Sequence, residues 1–314
     1  MRAYCLSIHT AYRCRHSGAC CTAGWPIAID TPRVLELRAR RVGGVDTLGS
    51  LSPRQDDGAL LIDKRQDGSC VFHDVDGDRR CAIHAAAGEA LLPVACRNFP
   101  RVALRDPRGT FVTLSHYCPT AADLLLSAGN ITIVDAPPSI ALGGDVEGLD
   151  ATAVLPPLLR DGMLMDLEGY AAWEREGLAV LNSRRHDAET ALAIISSATR
   201  EACRWSPGRE SLATWIADAF ARARERRDRG ALSSPPPLDH ARKAFLAAHL
   251  FASWAAYQHG GLGAVVDSLA LAVSLVSGYS DPSAFVTAVR AADLQLRHTG
   301  DHVRSRSIPA LRHG

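Results

Sequence analysis

At 314 residues the chain is long enough for one large domain or two ordinary ones. Its 35 basic and 34 acidic side chains nearly cancel, which leaves no strong field to recruit nucleic acid or a membrane surface, so neither is expected as a partner. Met1 to Arg15 has no apolar run with a small-residue cleavage site. The most apolar stretch, Ala264 to Val276, is broken by Asp267 and is too short to span a bilayer. The expected setting is the reducing cytoplasm, where clustered cysteines serve metal or redox chemistry rather than disulfides.

In chain order, a helix is expected after Thr31-Pro32, with Thr31 as N-cap and Pro32 at the first helical position. Short strands are expected at Ala59–Asp63, Cys70–His73, Val102–Leu104 and Thr110–Leu114, separated by Asp67-Gly68 and Asp76-Gly77 turns. Pro119–Ala128 reads as a helix with Cys118 at its N-terminal edge. The Gly- and Pro-rich stretch 131–150 reads as a connector. Beyond it, Leu155–Leu181, Ala188–Cys203, Ser211–Arg227, Leu238–Tyr257, Leu262–Ser277 and Pro282–His298 carry apolar residues at helical spacing. The expected fold class is α+β: a small cysteine-rich metal-binding module with short strands over 1–130, a linker over 131–150, a mainly α-helical domain over 151–300 and a tail over 301–314.

Eight of the nine cysteines lie in the first 118 residues, and only Cys203 lies beyond. Cys14, Cys20 and Cys21 share one loop with Gly18. Neighbouring residues of an extended segment point in opposite directions, so Cys20 and Cys21 are expected to reach two different metal atoms, or one of them to do another job. Cys70 and Cys81 read as facing strands of a hairpin, Cys96 follows a short helical segment, and Cys118 precedes a proline. These seven thiols exceed the four that a tetrahedral zinc needs. The surplus points to an iron–sulfur cluster plus a second site, or to two metal sites, with zinc as the alternative metal. Cys5 and Cys203 stand apart and read as small buried side chains.

His73, His84 and His116 lie beside the cysteines and can ligate in place of a thiolate or hydrogen-bond within loops. Arg97 and Arg101 can offset thiolate charge or bind a carboxylate. Asp30 can cap the following helix or orient a substrate. Trp25 can stack on a ligand or close the module's core. The charged stretch Ala221–Gly230 reads as a solvated helix face.

The elements Tyr12–Cys21, Gly24-Trp25 with Ile29-Asp30, Gly68–Phe72, Cys81–Ile83, Cys96–Arg101 and Cys118–Ala122 resemble the YkgJ-type cysteine-cluster family, described as zinc- or iron-chelating. Within that group the likeness is greatest to the flagellin lysine-N-methylase branch, over residues 12–126. One departure is Ser17, which stands where many relatives carry a second cysteine. The resemblance implies a metal-bearing module with an iron–sulfur cluster of the 4Fe-4S kind. It also implies S-adenosylmethionine as methyl donor and a peptide, protein or small amine as substrate. Trp25, Asp30 and Arg97 are the candidate cofactor-binding residues. The chain has no Gly-x-Gly-x-x-Gly following a strand, so a Rossmann-type cofactor site is not supported. The other function class is a non-catalytic metal-stapled interaction protein.

Overall fold

The computed structural model of the protein describes residues 1–40, 42–74, 77–78, 80–142, 148–153, 156–227, 235–258 and 260–299. The fold is α+β, as expected. Its strands are β1 (Ala3–Leu6), β2 (Leu51–Pro53), β3 (Leu60–Ile62), β4 (Arg101–Asp106), β5 (Gly109–Leu114), β6 (Ile133–Asp135), β7 (Gly148–Asp150), β8 (Leu158–Arg160) and β9 (Met163–Leu164). The helices of the first half are α1 (Thr31–Arg40), α2 (Ala82–Ala87), α3 (Val94–Asn98) and α4 (Pro119–Leu126). Those of the second half are α5 (Leu167–Asn182), α6 (Ala188–Ala202), α7 (Leu212–Glu225), α8 (Asp239–Leu250), α9 (Gly261–Val276) and α10 (Pro282–Leu294).

A five-stranded mixed sheet in the order β6-β1-β5-β4-β7 joins the two halves. β5 pairs antiparallel with β4 and parallel with β1. Alternation along β5 sends Phe111 into the core shared with α5 to α10, and Val112 and Leu114 into a smaller core with Cys5, Tyr12 and Cys118. Thr113 donates to the Ala248 carbonyl at 3.1 Å and Trp254 Nε1 to the Ala103 carbonyl at 3.0 Å, pinning the sheet to the helices. The stretch 131–150, expected as a connector, contributes both edge strands, β6 and β7; Gly143-Gly144 lies outside the described residues.

The second half is helical, with boundaries set by local chemistry. The Asp166, Asp187, Ser211 and Asp281 side chains each accept from an amide in the first turn of the helix that follows. The single helix expected over Leu155–Leu181 is corrected. The Asp161-Gly162 turn, with Gly162 at φ 69°, folds β8 onto β9, and the helix starts only after Asp166. No helix among the described residues is long and apolar enough to cross a membrane. The tail 301–314 lies outside the described residues.

A third core belongs to residues 20–96. Ile27, Ile29, Val34, Leu37, Ile62, Phe72 and Ile83 pack there together with Cys21 and Cys70. It contains little regular structure. Ala28 bridges Leu61, so the segment around Ile27 and Ile29 lies against β3 beside β2.

Candidate thiolate centre

All nine cysteines are free thiols. Chain connections bring five of them into one region. Gly18 adopts φ 70°, a conformation that costs glycine little, and opens a 3-10 turn over Ala19–Cys21. The Cys70 amide donates to the Cys21 carbonyl at 2.7 Å, fastening the first cysteine loop to the second. His73 bridges Cys81, and Cys81 leads into α2. Cys96 lies on α3 and packs against the same core. The strand expected at Cys70–His73 is reduced to the single bridges Lys64–Cys70 and His73–Cys81, and Asp76 of the expected turn lies outside the described residues.

Cys21 is the hub. Its thiol is pushed far up by hydrogen bonding with the thiols of Cys20, Cys70 and Cys81, with burial adding to the shift. The three partners move the other way. Cys20 and Cys81 are lowered, each chiefly by Cys21, and Cys70 is lowered to about 7, again by Cys21 first. Amides assist: that of Phe72 faces the Cys70 sulfur, and those of His84 and Ile83 face Cys81. Cys96 is held up by burial and then by the negative charge that thiolates at Cys20, Cys81 and Cys70 would carry. One proton-holding thiol thus sits among three sulfurs poised to become thiolates, in a core that disfavours uncompensated charge.

The expectation that the vicinal pair diverges is overturned. Cys20 and Cys21 lie in a turn rather than an extended segment, and their thiols interact. Cys14 and Cys118 are not part of this core. The Tyr12 hydroxyl lies 4.0 Å from Cys118 Sγ, and Cys14 adds to the rise of the Cys118 thiol, which burial dominates. Cys14 is exposed; its sulfur accepts from the His16 amide at 3.4 Å and lies 4.0 Å from His16 Nδ1. Cys203 donates to the Leu159 carbonyl at 3.2 Å, in the helical half.

Among the other sequence candidates, Asp30 caps α1. It accepts from the Arg33 amide at 3.0 Å and pairs with the Arg33 guanidinium, so the cap is Asp30 rather than Thr31, which is itself helical. Trp25 packs on Phe99 and Tyr117, with ring centroids 5.4 and 5.8 Å away. Arg97 is half-buried on α3, and its carbonyl accepts from Arg101 at 3.3 Å. Arg101 spends its other donors on the Ser139 carbonyl. His84 packs against His16 with the rings tilted by 56° and their centroids 4.7 Å apart. His116 turns away from the thiols into a buried network, with Nε2 3.4 Å from His9 Nε2 and Nδ1 3.8 Å from Asp293 Oδ1.

The donor set fits a soft thiophilic ion or cluster. Cys20, Cys21, Cys70 and Cys81 are the residues that would hold it, with Cys96 adjacent. Among the described residues no group of three or more His, Cys, Asp or Glu side chains is already spaced around an ion position. A cleft of about 520 Å³ lies elsewhere, between the sheet and α5, lined by Tyr4, Arg108, Phe111, Glu174 and Leu178 among others.

The chain matches no family model, no curated protein and no solved structure. The cysteine-cluster resemblance accordingly rests on the motif elements in residues 12–126.

Proposed function

We propose that the protein is an iron–sulfur enzyme of the lysine-N-methylase-like type. In this reading Cys20, Cys21, Cys70 and Cys81 ligate a 4Fe-4S cluster, and a methyl group passes from S-adenosylmethionine to the nitrogen of a peptide, protein or small amine. One observation carries the metal part: thiols from three separated segments gather around Cys21, three of them lowered toward thiolate. The transferase part rests on the motif resemblance. Four thiolates cap every iron of such a cluster, so Lewis acidity and a positioning template would come from the second metal site that the surplus thiols Cys14, Cys96 and Cys118 allow. The chain's part is to hold the sulfurs, exclude water with the Ile27, Phe72 and Ile83 core, and receive an amine in its neutral form.

A second reading is a non-catalytic protein stapled by zinc. It is favoured by where the thiols sit, in a core with little helix or sheet to support it, the usual place of a structural zinc. Purification without oxygen, followed by assay of iron, acid-labile sulfide and zinc, separates the two. Iron with sulfide supports the enzyme reading. Zinc alone in a colourless sample supports the staple. A metal-free protein overturns both.

A further inference from the structure

Lys64 follows β3 and is paired by an antiparallel bridge with Cys70. Directly opposed residues of such a pair project to the same side, so the lysine stem and the Cys70 thiol share a face. The Lys64 ammonium is shielded from solvent and has no hydrogen-bond partner among the described residues.

The neighbouring ions are already engaged. Arg65 donates to the Cys70 carbonyl at 3.0 Å and the Val71 carbonyl at 2.8 Å, and Asp63 accepts from Ser52 at 2.6 Å. A buried ammonium with no anion beside it is costly, and a fold keeps one where an anion is to be met. A divalent ion on four thiolates is a dianion, and so is an oxidised cubane on four thiolates. In this apolar core such a centre needs a fixed positive charge close by.

We propose that Lys64 is that charge: a positioning residue that stands outside the ligand set, faces Cys70, and raises the affinity of the thiol set for metal by neutralising part of the negative charge that coordination creates. The inference rests on the metal–thiolate reading above. It assigns no role to Lys64 in methyl transfer.

The test uses the full chain, reduced and metal-free, titrated with cobalt(II) at fixed pH and ionic strength. Sulfur-to-cobalt absorption reports binding. Lys64→Met is expected to weaken cobalt binding roughly 10- to 100-fold, the range found for outer-shell partners, while Lys64→Arg stays close to the wild type. Urea unfolding of the metal-free protein supplies a readout that a merely structural lysine would move in the opposite direction. Removing an unpaired buried ammonium is expected to leave Lys64→Met at least as stable as the wild type. Should Lys64→Met not fold, Lys64→Gln takes its place.

Equal cobalt affinity in wild type and Lys64→Met overturns the assignment of Lys64 alone. So does a Lys64→Arg variant as weak as Lys64→Met, or a metal-free Lys64→Met less stable than the wild type. A wild-type chain that binds no cobalt overturns the metal reading and this inference with it.

Discussion

Asp293 of α10 is expected to be among the most costly side chains to remove. Its carboxylate is completely buried. Oδ2 accepts from Ser115 Oγ at 2.5 Å and from the Tyr117 amide at 3.2 Å. Oδ1 lies 3.1 Å from Arg297 Nε and 3.2 Å from His249 Nε2. These partners come from the link between β5 and α4, from α8, and from the turn after α10, so one carboxylate ties the sheet to two helices. Asp293→Ala takes an acceptor from three donors, Ser115, Tyr117 and Arg297, and removes the charge beside His249. Each stranded buried donor costs about 1–3 kcal/mol. Arg297 retains its bond to the Ala248 carbonyl at 2.9 Å, and water entering the vacated space recovers part of the rest. The expected loss is about 4 kcal/mol, the size seen when a buried ion pair is broken. Asp293→Asn keeps an acceptor for Ser115 and Tyr117 and should lose about half as much. Equilibrium urea unfolding followed by tryptophan fluorescence, with unchanged slope, measures both. A loss below about 1 kcal/mol for Asp293→Ala would refute the view that this carboxylate joins the layers.

The same network sets an acid limit. Burial first, then Arg297, holds His249 down to about 4 against its ordinary 6.5, with Asp293 opposing. The folded state prefers the neutral ring, so the contribution is complete above pH 6.5 and is lost as pH falls from 6.5 toward 4. It amounts to about 3 kcal/mol; identical urea midpoints at pH 7.5 and pH 5 would count against it. Arg108 bonds Asp106 at 2.7 Å and Glu174 at 2.9 Å, so Arg108→Met strands two buried carboxylates and should cost about 3 kcal/mol or more by thermal unfolding; Glu174→Gln, which can still accept from the Ala252 amide, should cost less. Cys20→Ala and Cys81→Ala should each lower metal content in protein purified without oxygen, whereas Cys203→Ala should leave it unchanged. Full metal content in both of the first two, or loss in the third, contradicts the ligand assignment.

Where local rules dominate, the sequence was readable. Apolar residues at helical spacing locate α6, α7 and α10 to within a few residues, and the Asp187, Ser211 and Asp281 caps fix where each begins. β1 was not foreseen. Its four residues carry a weak alternation, and its pairing with β5 joins positions about a hundred residues apart. β6 and β7 hid in a Gly- and Pro-rich stretch because an edge strand needs only three residues once a neighbour offers its amides and carbonyls. At the candidate site the thiols were visible by type. Their grouping was not, because the turn opened by Gly18 reverses the direction assumed for Cys20-Cys21. Lys64 carried no signal apart from its place six residues before Cys70; the role proposed for it comes from its shielded ammonium and the lack of a hydrogen-bond partner among the described residues. His116 looked like a ligand because it lies two residues from Cys118, but the end of β5 turns it toward Asp293 and His9.

X-ray absorption at the metal edge of the full chain, purified without oxygen, tests the thiolate centre most directly. The account predicts a first shell of about four sulfur atoms at about 2.3 Å. A shell of oxygen and nitrogen alone, or no bound metal to measure, would contradict it.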